Sequence, residues 1–111
     1  MIAAMPESFT AKERDFIRWE FIVRAGQVPL LREGFYVPRW AGGPNKGKVK
    51  LRAVVQSMLD RGLIEIVEPE GRMASALFTA AGIEALREMA KNRTFLPPDK
   101  YGHLLEELQD L

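Results

Sequence analysis

Apolar residues recur at helical spacing in several stretches of the chain, and the clearest stretch runs from Lys46 to Gly62. Its apolar stripe consists of Leu51, Val54, Val55, Met58 and Leu59. These positions fall on one side of a helix with 3.6 residues per turn. Glycine commonly ends a helix because it lacks a Cβ atom. The pattern therefore predicts an amphipathic helix over residues 46–62.

A second apolar stretch follows Thr10. Thr10 and Glu13 have the spacing of a capping box, in which each side chain bonds the other residue's backbone N–H. This predicts a helix over residues 10–25 that ends at Gly26. Its apolar residues cover more than one stripe, and they are Phe16, Ile17, Trp19, Phe21, Ile22 and Val23. We expect the helix to pack against the domain and also against the C-terminal segment or a second subunit.

Residues 63–78 have the pattern of a β-hairpin. β-branched residues alternate in part over 63–68, turn residues follow, and 75–78 form a second apolar run. Thr79 is a capping residue before a predicted helix that extends to about Asn92. Leucines at helical spacing predict a last, short helix over 101–111, which must dock to be stable. The predicted class is α+β, mainly α with a small β-hairpin.

The segment 27–45 allows two alternatives. Pro29 is suited to open a short helix that ends at Gly34. Residues 35–37 are instead suited to a short strand that Pro38 stops. Residues 42–45 have the composition of a turn leading into the central helix.

Composition excludes several classes of protein. The chain has no run of about twenty apolar residues, no signal-peptide pattern at its start and no cysteine. We therefore expect one cytoplasmic domain without disulfides or a membrane span. His103 is the only histidine, and no nucleophile lies in a pattern with a base. The sequence predicts no metal, no cofactor and no enzymatic activity.

Charge is unevenly distributed although the net charge is only +1. Residues 36–61 contain six cations and the single anion Asp60, whereas residues 62–111 contain five cations and nine anions. Such an excess predicts a positive patch suited to a nucleic acid. The alternative is that these cations only keep a loop and a helix face in solution.

Leu51–Ala90 resembles the recognition helix, wing and following helix of MarR-type winged helix-turn-helix proteins. The resemblance rests on the helix end at 58–64, the hairpin, and the run Phe78-Thr79-Ala80-Ala81-Gly82-Ile83. It implies a winged-helix domain over 10–92. The residues before it, 1–9, are expected to form a flexible tail, and 93–111 are expected to form a C-terminal extension. Residues 35–45 depart from the family, because they offer a loop where the family has its second helix.

The resemblance implies a transcriptional regulator that contacts duplex DNA with helix 46–62 and hairpin 63–78. Lysine and glutamine side chains bind guanine and adenine edges, valine meets thymine methyl groups, and arginines contact phosphates. The expected DNA-binding residues are Arg39, Lys46, Lys48, Val49, Lys50, Arg52, Ala53, Gln56, Ser57 and Arg72. A homodimer through helices 10–25 and 101–111 is also expected.

Two alternatives remain at this point. The acidic wing and near-neutral charge favour a winged-helix module that binds protein instead of DNA. Residues 42–48 have the G-x-x-x-x-G-K spacing of a phosphate-binding loop, but Val49 stands where that loop needs a serine or threonine for magnesium. Trp40 lies in the same loop, and we expect it to pin the loop to the body of the domain.

Overall fold

A computed structural model describes residues 8–68 and 73–111 of the chain. Within them lie four α-helices, one 3-10 helix and one three-stranded sheet, which is the predicted α+β class. In chain order the elements are α1 (Ala11–Phe21), the 3-10 helix (Leu31–Glu33), β1 (Phe35–Val37), α2 (Ala53–Asp60), β2 (Ile64–Val67), β3 (Ala74–Phe78), α3 (Ala80–Ala90) and α4 (Pro98–Asp110). The predicted turn at 69–72 lies outside the described residues.

The sheet is antiparallel, with strand order β1-β3-β2. The β2–β3 pairing confirms the predicted hairpin, with Ile64 opposite Phe78. β1 adds a third strand in the register Phe35 to Ala76. Both alternatives for segment 27–45 are therefore present, since the 3-10 helix leads directly into β1. Phe35 and Val37 point into the core and Tyr36 points to solvent, as alternation along a strand requires.

Five phenylalanine rings connect α1 to the sheet. Phe35 and Phe78 from the sheet pack against one another and against Phe16 and Phe21 of α1, mostly edge to face with ring centroids 5.1–6.4 Å apart. Phe9 adds a further edge-to-face contact with Phe78 and is 4% exposed. Such pairs stabilise by about 0.5–1.5 kcal/mol beyond burial. Phe9 is thus part of the core, and its placement in a flexible tail was wrong; residues 1–7 lie outside the described residues.

α1 begins as predicted and ends earlier than predicted. Both hydrogen bonds of the capping box between Thr10 and Glu13 are formed. The helix ends at Phe21, not at Ala25, and Ile22 is already extended. β-branched residues lower helix propensity, and the chain has two of them at 22–23. Trp19, which we expected in the core or in an interface, is 64% exposed in the protomer.

Thr79 and Gly82 attach α3 to the end of α2. The Thr79 hydroxyl accepts from the Gly82 N–H (3.1 Å) and donates to the Gly62 carbonyl oxygen (2.6 Å). The Thr79 N–H donates to the Leu63 carbonyl oxygen at 3.1 Å. A Cβ atom on Gly82 would lie 2.0 Å from that same oxygen. The predicted cap at Thr79 is confirmed, and Gly82 allows the helix to approach Leu63 this closely.

The C-terminal segment packs into the same core. Leu96, Leu104 and Leu108 are buried, and Tyr101 Oη donates to the Arg18 carbonyl oxygen of α1 at 2.9 Å. The predicted last helix is confirmed and starts three residues earlier, at Pro98. The residues separated as an extension at 93–111 therefore stabilise α1 from its other side.

Glu107 of α4 supplies the cap that the 3-10 helix lacks in its own sequence. Its carboxylate is 5% exposed and accepts from the Leu31 N–H (2.6 Å), the Arg32 N–H (3.1 Å) and Arg32 Nε (2.9 Å). Burial alone raises the pKa of Glu107, but the hydrogen bonds from Arg32 and from the two backbone N–H groups outweigh it. The pKa of this carboxyl is therefore below its ordinary value.

We expect the protein to lose stability in acid through Glu107. Because its folded pKa is lowered, its contribution is complete above the unfolded-state pKa of about 4.3 and is lost as pH falls through the folded pKa. Glu107→Gln should lower the free energy of unfolding by about 1.5–3 kcal/mol at neutral pH. It should also make that free energy fall less steeply as the pH is lowered. Urea unfolding at a series of pH values measures both effects. The exposed neighbour Glu106→Gln is the control, and equal pH profiles for the two variants would contradict the assignment.

No helix among the described residues has the length and apolar character needed to cross a membrane.

Candidate nucleic-acid interface

Residues 38–50 form a two-stranded ribbon, and the helix predicted to start at Lys46 starts only at Ala53. Three backbone hydrogen bonds close the ribbon: Lys50 N–H to the Pro38 carbonyl (2.7 Å), Trp40 N–H to Lys48 (2.9 Å) and Gly47 N–H to Trp40 (3.0 Å). Arg39 and Val49 pair as an isolated antiparallel bridge between them. The prediction of a helix over 46–52 was therefore wrong.

The sequence contains the reason for this difference. Cations recur at every second residue, Lys46, Lys48, Lys50 and Arg52, with Val49 and Leu51 between them. A period of two is typical of an extended strand with one face in water. Val49 and Leu51 are half-buried against the core, and Arg52 is extended as the N-cap residue of α2. Helical periodicity holds only from Ala53 onward.

Alternation divides the ribbon into two faces. In an antiparallel ribbon, paired residues share a face and neighbouring residues along the chain lie on opposite faces. Val49 points inward, so the neighbouring cross-strand pairs, Pro38 with Lys50 and Trp40 with Lys48, point outward. We call this surface the outer face; it comprises Tyr36, Pro38, Trp40, Lys48, Lys50 and Arg52, all exposed. Lys46 lies in the exposed turn at the tip.

Two aromatic rings lie among the cations of the outer face. Trp40 remains 41% exposed, with Lys50 Nζ 4.8 Å from its ring centroid. Its backbone holds the ribbon together, but its ring stays at the surface. Tyr36 is 71% exposed. Tyr36 was not among the predicted site residues, although alternation between the inward Phe35 and Val37 indicates that its side chain points outward.

The arginines have partners within the protein. Arg39 Nη1 donates to the Gly47 carbonyl (2.8 Å) and to Glu68 after β2 (3.0 Å). The guanidinium of Arg52 lies 5.5 Å from the Phe16 ring centroid. Burial raises the pKa of Glu20, and the positive charges of Arg24 and Arg52 lower it by less, so the pKa of Glu20 is above its ordinary value. Lys48 and Lys50 have no ion pair within the described part of the chain, so they are the cations most available to an anionic ligand.

α2 contributes less to this surface than expected. Ala53 is exposed, but the Gln56 amide nitrogen donates to Asp60 of its own helix at 2.8 Å. Ser57 was predicted to face outward and is half-buried, with its hydroxyl donating to Glu13 Oε2 at 2.6 Å. Glu13 also binds Arg61, so the sixth cation of the basic stretch belongs to a buried ion pair. The assignment of Ser57 to DNA is therefore wrong.

Two further predicted residues lie elsewhere. Val49 is packed against the core and cannot present its methyl groups to a thymine, which corrects its assignment. Arg72 lies outside the described residues. The structure thus brings Lys48, Lys50 and Arg52 together on one face with Tyr36 and Trp40, and it separates them from Val49 and Ser57.

Residues 8–68 and 73–111 contain no group of three or more histidine, aspartate or glutamate side chains placed to hold a metal ion. Comparison of the chain with protein-family models, with curated proteins and with solved structures gave no match.

Proposed function

We propose that the chain is a DNA-binding protein of the winged-helix type, a transcriptional regulator that contacts DNA with the ribbon 38–52. One observation carries the proposal. Residues 38–52, the ribbon and the residues that lead from it into α2, contain five cations and no anion, and the outer face presents Lys48, Lys50 and Arg52 side by side. A surface of this kind attracts the DNA backbone and releases its counterions.

The shape of the ribbon supports DNA as the ligand. The major groove of duplex DNA admits an α-helix or a two-stranded β-ribbon. Here the ribbon leads into α2 at Arg52, so the exposed Ala53 at the start of α2 directly follows the outer face in the chain. Lysines on the ribbon supply phosphate contacts, and Ala53 at the start of α2 lies next to them.

The order of elements supports the winged-helix type. A helix, a strand, a second helix and a hairpin follow one another, and the sheet order β1-β3-β2 places the strand beside the hairpin. The ribbon 38–50 occupies the part of the chain where a winged helix carries its second helix. The hairpin 63–78 is the proposed wing.

Titration with mixed-sequence duplex DNA at several salt concentrations tests the proposal. We expect log affinity to fall linearly with log salt concentration, and Lys48→Ala or Lys50→Ala each to lower the slope by about one. Lys100→Ala, an exposed lysine on α4, is the matched control and should leave the slope unchanged. Absence of binding at low salt to both duplex and single-stranded DNA would remove the proposal.

A second candidate, a winged-helix module that binds protein, is favoured by a different surface. Trp19 of α1 is 64% exposed, and Val23 and Val28, which follow the helix, are 42% and 51% exposed. The homodimer expected from the sequence remains a proposal, and this is the surface through which we propose that it forms. Leu104 and Leu108 of α4, on which that expectation also rested, are 0% and 6% exposed within the protomer and are not free to join it.

A further inference from the structure

We propose that the outer face of the ribbon binds unpaired bases, so that the protein takes single-stranded DNA in preference to fully paired duplex. The inference rests on the proposed function, because it names the form of DNA taken by the same surface. The aromatic rings of Tyr36 and Trp40 carry it.

Tyr36 and Trp40 lie one after the other along the outer face. They lie four residues apart on the same face of extended chain, which corresponds to about 13 Å. The core does not need the Tyr36 ring, because its neighbours Phe35 and Val37 fill the inner face of β1. Both rings are large, exposed and adjacent to cations, with Lys50 over Trp40 and Arg52 near the level of Tyr36 across the ribbon.

The chemistry of the two rings favours unpaired bases. Within a duplex, each base is covered on both faces by its neighbours, so a protein ring reaches only edges and backbone. A single strand exposes the faces of its bases, and stacking on an aromatic side chain changes affinity about five- to 150-fold per base. Lys48, Lys50 and Arg52 then neutralise the backbone beside the stacked bases. A row of cations interleaved with aromatic rings is the arrangement that single-strand binding uses.

The charges around the ribbon favour one path for the bound DNA strand. Glu65 and Glu68 lie on and after β2, at the opposite edge of the sheet from β1. Their charges disfavour a phosphate backbone that crosses the sheet. The path along the ribbon, from Tyr36 past Trp40 toward its tip at Lys46, has no anion among its own residues. Two carboxylates border it: Glu68, which is paired with Arg39 at 3.0 Å, and Glu20, which lines a cavity with Tyr36, Lys50 and Arg52.

Fluorescence of the full chain tests the proposal directly. The protein has two tryptophans, so Trp19→Phe leaves Trp40 as the only one. We titrate this variant with oligothymidine and with a mixed-sequence duplex of equal length at one salt concentration. We expect the single strand to bind about tenfold more tightly and to quench the Trp40 emission, whereas the duplex leaves the emission unchanged.

Side-chain variants, measured by the anisotropy of labelled DNA, separate stacking from charge. Tyr36→Ala and Trp40→Ala should each remove most of the preference for the single strand while leaving duplex affinity within about twofold, because charge contacts remain. Trp19→Ala, which removes an exposed aromatic ring of α1 that is not part of the outer face, is the control.

Equal affinity for both forms with unchanged Trp40 emission would overturn the inference and leave the proposed function standing. Folded Tyr36→Ala and Trp40→Ala variants that keep the preference would overturn it as well. Failure of both forms to bind at low salt would overturn the inference together with the proposed function.

Discussion

A Gly34→Ala variant is expected to lose most of the folding stability of the protein. Gly34 joins the 3-10 helix to β1 at φ 67° and ψ −149°, a conformation that side chains disfavour. A Cβ atom there would lie 1.9 Å from the Ala76 carbonyl oxygen and 2.9 Å from Leu77 Cδ2. Because Ala76 is backbone of β3, the paired strand must shift. We expect the free energy of unfolding to fall by at least about 4 kcal/mol.

Gly26→Ala is the matched control for this prediction. Gly26 has a similar φ of 77°, but a Cβ atom there would meet nothing within 4 Å. Its substitution carries only the backbone cost of a left-handed residue, about 1–2 kcal/mol. Urea unfolding of both variants gives the two free energies. Equal stability of the two variants would show that Gly34 does not approach β3 as closely as described.

Glu13→Ala is expected to destabilise the protein by about 3–5 kcal/mol, because it breaks a buried ion pair by removing one partner. The Glu13 side chain is fully buried and accepts from the Thr10 N–H at 2.8 Å, from the Ser57 hydroxyl and from Arg61. Burial alone raises the pKa of Glu13, and these hydrogen bonds outweigh it, so its pKa is below the ordinary value. The carboxylate joins the start of α1 to α2.

Asp15→Ala provides the control within the same helix. Asp15 also forms an ion pair, with Arg18, but its side chain is 71% exposed. Exposed pairs of this kind contribute about 0.2–1 kcal/mol. The loss in free energy of unfolding should therefore be several-fold larger for Glu13→Ala than for Asp15→Ala. Thermal and urea unfolding of both variants measure it. A Glu13→Ala variant as stable as Asp15→Ala would contradict the role of Glu13 as a buried link between the helices.

Glu13 also illustrates what sequence analysis found and what it missed. The capping box with Thr10 was predicted, since both partners lie three residues apart. The bond to Ser57 was not predicted, because it spans 44 residues of chain. Ser57 was instead assigned to a DNA-facing surface, since helical spacing alone does not say which side of a short helix faces the core.

The sequence predicted the cations of the candidate site but not the backbone conformation that arranges them. A positive patch that includes Lys48, Lys50 and Arg52 was expected from the local excess of cations, and all three residues are exposed. Their helical arrangement was wrong, and the pairing that turns them outward with Tyr36 and Trp40 depends on backbone bonds to residues 38–40. A neighbouring segment therefore decided the geometry of the site.

The features that depend on residues close together in the chain follow from the sequence alone. These are the caps at Thr10 and Thr79, the hairpin after α2 and the charge of the ribbon. The tertiary structure decided that residues 46–52 form a ribbon and not the predicted helix, because their backbone hydrogen bonds go to residues 38–40, which a pattern confined to 46–62 does not include. The same holds for Glu107, whose carboxylate caps a 3-10 helix 76 residues away. Chain entropy keeps such partners apart until the fold brings them together.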